Sequence, residues 1–460
     1  MTQQAYLRKQ NEPQSLIPHS PTPGFIQDIN LRTRFLKYLE TLSRRYGDCF
    51  RVGGRKSPVV CLSNPKAIEA VFTADPELFE VGGELKYWQF LLGENSIVVQ
   101  DGAAFKRMRQ LLTPAYRSMH HQYSYGQLIY DVTRQVTAQW RVGQPFLVNS
   151  CMREMSLQVI VPILFGLDEV ERFNQFRLQF MAMTDSLDFA LKIERFLPPL
   201  LGQKFHLQKW GGLSPWAQFF QRLQKTDQFI QDQIQERRKA GNLPGNDVLT
   251  LLMSARDEVG ETMTDQELRD SIMAFIIAAQ SLSLSLTWAF YWIHHLPEIQ
   301  YKLRRELESL GNEFNPQNIC QLPYLNAICQ ETLRIYSSNP TFSRKLKAPL
   351  EIMGYHFEAG TILMLSDHLT HHREDLYPES KCFKPERFLE RKFSRYEYFP
   401  FGGGHRGCMG MAFAQMQMKL VIATILSHFQ LAIINRYPVR VVHRGMFDTA
   451  SPSDLRMVCN

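Results

Sequence analysis

The sequence predicts a mainly α-helical fold with small β-sheets, organised as a single large domain. Three observations lead there. Apolar residues recur at helical spacing along most of the 460 residues. Strand-like alternation is confined to short pieces. Neither an internal repeat nor a Gly/Ser-rich linker divides the chain. A hydrophobic share of 44% beside 21% charged residues belongs to a chain that buries a sizeable core, not to a disordered one.

The elements follow in order. "MTQQAYLRKQNEPQSLIPHSPTPGF" is polar and Pro-rich, so residues 1–24 read as a flexible arm and 25–460 as the folded domain, with neither signal peptide nor anchor at the start. "CFRVGGRKSPVVCLSNP" alternates and predicts a strand pair over Cys49–Leu62, turned at Gly53-Gly54. "NPKAIEAVFTA", "AAFKRMRQLLTPAY", "DQFIQDQIQERRKA" and "PEIQYKLRRELESL" carry helical spacing. Strand signals return after Tyr336, as in "LEIMGYHFEAGTILML".

One helix stands out. "FIIAAQSLSLSLTWAF", Phe275 to Phe290, holds no charge; Thr264-Asp265-Gln266-Glu267 forms a capping box before it, and Pro297 stops it. About thirty residues in between give a helix of roughly 45 Å. That length would cross a bilayer. Gln280, Ser281, Ser283, Ser285 and Thr287 interrupt the apolar run, however, and a helix buried on all sides of a large protein reads the same way. A core helix is expected, and no transmembrane segment.

The net charge of +7 is far from a nucleic-acid signature but suits a basic patch for an acidic partner. Eight cysteines show no CxxC pairs, which argues against a zinc site and against a disulfide framework. Reduced thiols and a cytoplasmic location are expected.

The chemistry is carried by "FPFGGGHRGCMGMAFAQMQMKLVIATIL", Phe399 to Leu426. A glycine-rich loop passes into a long apolar helix, placing Cys408 at a helix N-terminus, where unpaired N–H groups favour thiolate. Gly404, Gly407 and Gly410 permit positive φ and let the backbone lie flat against something large. Arg406 adds a cation two residues before the thiol. A phosphate loop is excluded because no Gly-Lys-Ser/Thr follows. Stabilised thiolate, planar approach and a cation for carboxylates describe a haem iron ligand beside a haem propionate.

Phe401, Gly404, Arg406, Cys408 and Gly410 meet the pattern F-x-x-G-x-R-x-C-x-G, "ETLR" supplies Glu331 and Arg334 on one helix face, and "FKPERF" supplies Arg387. From about Asp48 onward the chain resembles the cytochrome P450 superfamily of haem-thiolate enzymes. By the runs "THHREDLYPE", "KPERFLER" and "GMAFAQ" it resembles soluble bacterial members of the cyanobacterial type. The resemblance implies the P450 fold, with haem b between the long central helix and the Cys loop. It implies Cys408 as axial iron ligand, cofactor contacts at Phe401, Gly402 and Gly410, and a buried charge cluster of Glu331, Arg334 and Arg387 behind the loop. Arg406, Arg109 in "FKRMRQLL" and Arg344 fall at propionate-binding positions. Phe105 stands where Trp or His is common, so one propionate hydrogen bond is expected to be missing.

The central helix departs from the family. Oxygen-activating members carry a small residue and Gly, any residue, then an acid and Thr, which relay protons to the reacting oxygen. Here the run is Ile277-Ala278-Ala279-Gln280-Ser281, so Ala278, Gln280 and Ser281 are the candidate catalytic residues and the acid is gone. An amide does not release a proton at ordinary pH, so delivery should be slower or water-dependent. "IYSSNPTFSR" departs from Tyr-Pro-x-x-Pro, and Ser337 to Thr341 are expected to make the pocket more polar.

The expected function is O₂-dependent monooxygenation of an apolar substrate: a fatty acid, a terpenoid or a natural-product intermediate. No Rossmann fingerprint or iron–sulfur spacing occurs, so electrons would come from a separate ferredoxin-type donor and its reductase. Lys106, Arg107, Arg391, Lys392 and Arg395 are the candidate docking patch. "FEVGGELKYWQFLLGENSIV" and "MTDSLDFALKIERFLPPLLG", with Tyr87 and Phe189, are expected to cap the pocket. Two alternatives stay open: an electron-independent hydroperoxide isomerase, dehydratase or peroxygenase, and a haem protein that binds a ligand without turnover.

Overall fold

In a computed structural model the chain is described over residues 17–53, 58–121, 123–166, 170–196, 214–241, 245–311, 314–435, 439 and 455–460. Residues 1–16 of the expected arm, Gly54 of the expected turn and the end of the second capping segment lie outside these. Helices make up most of the rest, and the small sheets sit to one side.

Each expected helix forms for a reason visible in its ends. Asn64 caps Pro65–Thr73 by accepting from the Lys66 N–H. Thr264 and Glu267 close a capping box on Asp265–His295, a helix of 31 residues that ends before Pro297. This central helix packs along Val148–Phe165 and is buried from Leu268 to Ile276 and again from Leu282 to Phe290. Among the described residues it alone is long and apolar enough to cross a membrane, and most of its apolar window is buried inside the protein.

The strand pair forms as β1 (Cys49–Val52) and β2 (Val59–Leu62), antiparallel with Cys49 opposite Leu62. With β3 (Phe79–Glu80), β4 (Phe342–Leu346) and β5 (Ile362–Leu365) they build a five-stranded sheet in the order β1-β2-β5-β4-β3. β2 and β5 are buried along their whole length, which is why both read as apolar runs. The chain is already in register before Phe25, since the Arg51 N–H donates to the Pro18 carbonyl at 2.8 Å. Pro323–Ile335 and Met411–His428 complete the core and present "ETLR" and the Cys loop to one another.

Candidate functional site

Glu331 and Arg334 meet one helical turn apart on Pro323–Ile335, fully buried, with two hydrogen bonds of 2.7 and 2.8 Å. Arg387 adds a third at 3.1 Å, and the Lys384 N–H a fourth at 2.8 Å. A buried carboxylate is tolerable only when it is saturated in this way. The remaining guanidinium donors go to carbonyls: Arg334 to His371, and Arg387 to Pro378 and Cys382. His371 carries the connection onward. Burial, then Arg334, depresses its pKa and keeps the ring neutral, so Nε2 accepts the Phe399 N–H at 3.1 Å. Phe399 in turn accepts from the Gly402 N–H, and Phe401 from the Cys408 N–H, both at 2.9 Å. The charge cluster therefore reaches the thiol-bearing loop through an unbroken series of hydrogen bonds.

Cys408 precedes the helix Met411–His428, and the Gly410 and Met411 N–H groups point at its sulfur. Burial nonetheless pushes the thiol up, with those N–H groups and Arg109 opposing the shift. The residue keeps accessible surface, because it lines a half-open cavity of about 290 Å³. Val81, Leu85, Ile97 and Val98 give that cavity an apolar side; Asn339 and Thr341 give it a polar edge.

Three guanidiniums converge on the same space. Arg109 donates to the Gly407 carbonyl at 3.3 Å. Arg344 donates to the Ser343 carbonyl at 2.9 Å and to the Gly403 carbonyl at 3.4 Å. Arg406 lies 3.6 Å over the Phe105 ring and pairs with Asp101 at 2.5 Å. Burial pushes Arg344 and Arg406 down to about 10 each; Arg406 adds to the shift at Arg344, while at Arg406 the Asp101 carboxylate opposes it and Arg109 adds a smaller push downward. His405 beside them is pushed down to about 4 by burial and then by these arginines. Three cations beside the one carboxylate of Asp101 call for a further anion, and the Arg406 Nε is buried without a hydrogen-bond partner among the described residues. Aimed N–H groups at a thiol, an apolar wall and a site lacking two negative charges fit a flat, dianionic, thiolate-ligated group.

The central helix places its expected residues differently. The Ser281 hydroxyl donates to the Ala278 carbonyl at 2.7 Å, and Ser283 does the same to Gln280. Gln280 is held sideways: its Oε1 accepts from Arg153 Nε at 3.4 Å, and its Nε2 lies 3.5 Å from the Arg153 carbonyl. Arg153 is anchored in turn by Asp185 at 2.7 Å and Thr184 at 2.6 Å on Val170–Phe196. Ala278 and Ser281, one turn apart, keep accessible surface. None of the three lines the Cys408 cavity.

The family model described as Cytochrome P450 matches residues 17–459. The chain belongs to the cytochrome P450 family. Cytochrome P450 135A1 of Mycobacterium tuberculosis is 28% identical over 419 residues, 90% of this chain and 88% of that one. Cytochrome P450 135B1 of Mycobacterium bovis is 27% identical over 444 residues, covering 94% and 90% respectively. Two solved structures share the fold. A retinoic acid-bound cyanobacterial CYP120A1 superposes with a TM-score of 0.81 at 20% identity, over 97% of this chain and 100% of that one. The haem domain of cytochrome P450DA gives 0.82 at 19% identity, with 98% of each chain covered.

P450s are haem-thiolate oxidoreductases of the monooxygenase class, with iron ligated by cysteine, and they work with redox partners on small-molecule substrates. Of the P450 residues expected from sequence, Cys408, Arg109, Arg344, Arg406, Phe401 and Phe105 share one cavity. Gly402 and Gly410 do not line it. The glycines also serve another purpose than expected. Gly404 has positive φ, but Gly407 (φ −56°) and Gly410 (φ −85°) do not. A side chain on Gly403 or Gly404 would bring Cβ to 2.4 Å from the Phe72 ring or 2.7 Å from the Phe72 carbonyl, so those two let Pro65–Thr73 approach the loop.

In the expected docking patch, Arg107 is not a free surface cation: it pairs with Asp257 at 2.6 Å and Glu267 at 2.5 Å. Lys106 pairs with Glu77 and Arg391 with Glu397, while Lys392 and Arg395 are exposed. From the first capping segment, Val81 and Leu85 line the cavity and Tyr87 does not. Sequence reasoning missed Tyr116, whose buried phenol lines the cavity near Cys408, and Asp101, Arg153 and His371. His371 sits in the quoted "THHRED" run; the other three carry no local signal, because each acts on a partner distant in sequence.

Proposed function

We propose that the chain is an O₂-dependent monooxygenase of an apolar small molecule, holding haem b through Cys408 and drawing electrons from a separate ferredoxin-type donor and its reductase in the cytoplasm. The observation that carries the reading is the convergence of an N–H-solvated thiol and three arginines on one half-apolar cavity, where Arg406 alone among the three is paired, with Asp101, within the described residues. When bound, the haem supplies the one-electron and oxygen chemistry. Arg109, Arg344 and Arg406 would bind the propionates, and the Gly410 and Met411 N–H groups would stabilise the thiolate once the metal has displaced its proton. Val81, Leu85, Ile97 and Val98 exclude water and bind the apolar body of the substrate. Asn339 and Thr341 orient a polar end, in keeping with a substrate such as a fatty acid or an oxygenated terpenoid.

Ser281 can position a water for proton delivery but does not pass on its own proton. Its hydroxyl proton is committed to the Ala278 carbonyl, which leaves its lone pairs to hold a water or accept from one. Gln280 cannot take the acid's part, because its amide is neutral and tied to Arg153. That same arrangement favours a second reading, rearrangement of a ready-made hydroperoxide, a reaction that needs no proton relay. A panel of lipid hydroperoxides given to the haem-loaded protein without electron donor separates the two. The monooxygenase reading expects no defined product there, but turnover of an apolar substrate with ferredoxin, reductase and O₂. Fast conversion to an isomer retaining the peroxide oxygens would overturn it.

A further inference from the structure

We propose that Asp101 is a specificity-determining residue: by bridging Arg406 to the backbone at Val81 and Gly83, it sets the position of the cavity's apolar wall relative to the Cys loop. The inference rests on the reading that this wall faces substrate.

The wall alternates between two spaces. Val81, Leu85, Ile97 and Val98 line the Cys408 cavity, while their neighbours Lys86 and Val99, with Gln89, Glu94, Gln100 and Asp101, line a separate open groove of about 450 Å³. Both ends of the wall meet at one ion pair. Asp101 Oδ1 accepts the Val81 N–H at 2.9 Å and Oδ2 the Gly83 N–H at 3.2 Å. Arg406 donates through Nη1 to the Ile97 carbonyl at 3.2 Å, and through Nη2 to the Gln100 carbonyl and to Asp101 Oδ1. Gly82 seals the junction, since a Cβ there would stand 2.2 Å from the Val99 carbonyl oxygen.

Charge-assisted bonds of this kind are stronger than neutral ones and are geometrically demanding. The Asp101 carboxylate accepts all three N–H donors only while Arg406 keeps its place over Phe105. The guanidinium has one edge committed to the wall and its Nε turned elsewhere, buried and unpartnered. Arg406 thus faces both the cavity and the wall, whereas the hydrogen bonds of the Asp101 side chain go to Arg406 and to the N–H groups of the wall. Ligands large enough to touch the wall should respond to Asp101; ligands that reach only the iron should not.

The test uses haem-loaded Asp101→Asn and two probes titrated by their Soret shift. Imidazole reaches the iron without the wall; clotrimazole, a bulky apolar azole, presses against it. The expected result is unchanged haem content and imidazole affinity, clotrimazole binding weakened by about tenfold, and amide exchange at Val81 and Gly83 accelerated by about tenfold or more. Equal weakening of both azoles, or unchanged exchange at those two amides, overturns the proposal. Should Asp101→Asn not fold, Asp101→Glu keeps the charge for Arg406 but lengthens the arm, and the same split between the azoles is required. If the wild-type protein forms no haem-thiolate complex, the functional reading fails, yet exchange at Val81 and Gly83 in the variant still decides whether Asp101 holds the wall.

Discussion

Behind the Cys loop, Glu331 receives donors from Arg334, Arg387 and the Lys384 backbone, and His371 passes the constraint to Phe399 across the protein. On the central helix, Ser281 and Ser283 satisfy their hydroxyls on carbonyls of their own helix, and Gln280 is met by a single neighbouring arginine. The first region is bound by contacts between residues distant in sequence, each leaving a buried charge exposed to cost if its partner is lost. The second is satisfied locally and loses little when a side chain changes. The two sides of this site are therefore held differently. The cysteine side is bound into the fold by its buried charges, and the central helix accommodates an amide at position 280 by bonds to one neighbouring helix.

Breaking the first region should have the largest effect. Glu331→Gln leaves Arg334 and Arg387 buried beside a neutral amide, and about 3–5 kcal/mol of unfolding free energy should be lost in denaturant titration, together with haem retention. His371→Ala removes the acceptor for the Phe399 N–H and should cost about 1–3 kcal/mol by the same measurement, with a destabilised Cys loop. A loss no larger than that of a surface substitution would put the bracing elsewhere.

A third site lies between these extremes. Burial pushes the Asp367 carboxyl up to about 8, with Ser337 opposing, and neither of its oxygens has a partner in hydrogen-bond geometry. The folded protein then keeps a proton that the unfolded chain releases, so stability contributed at low pH is lost as pH rises from the ordinary aspartate value of 3.8 toward 8. Asp367→Asn should flatten that fall in thermal unfolding followed against pH. An unchanged slope would show that the group is charged and solvated in the folded state.

The smallest effects on stability are expected on the central helix. Ser281→Ala and Gln280→Glu should stay within about 1 kcal/mol of wild type, while their chemistry changes. Gln280→Glu sets a carboxylate against Arg153 and should lower the share of electrons lost as hydrogen peroxide during turnover; Ser281→Ala should raise it. If neither moves peroxide release, proton delivery does not pass through this part of the helix.

The same contrast explains what could be read from the sequence. A capping box marked the start of Asp265–His295 and Pro297 its end, and alternation placed β1 against β2, because these are local effects. The Cys loop and "ETLR" were legible because one residue order encodes a fixed arrangement. Gly404 was read with Gly407 and Gly410 as letting the backbone lie flat against something large; together with Gly403 it makes room for Phe72, a contact no local pattern announces. Arg107 was read as a surface charge for the same reason: its partners Asp257 and Glu267 lie far along the chain. Gln280 was identified as a departure, but that Arg153 turns it aside depends on a neighbouring helix.

The central claim is that the braced loop presents Cys408, and no other thiol, to the iron. Cys382 is the other exposed cysteine, and its carbonyl already serves the charge cluster, so it provides a matched control. The most direct measurement is the carbon monoxide difference spectrum of the reduced, haem-loaded protein in wild type, Cys408→Ser and Cys382→Ser. The account predicts a thiolate-type Soret band in wild type and Cys382→Ser and its loss in Cys408→Ser alone. A thiolate band that persists in Cys408→Ser would contradict it.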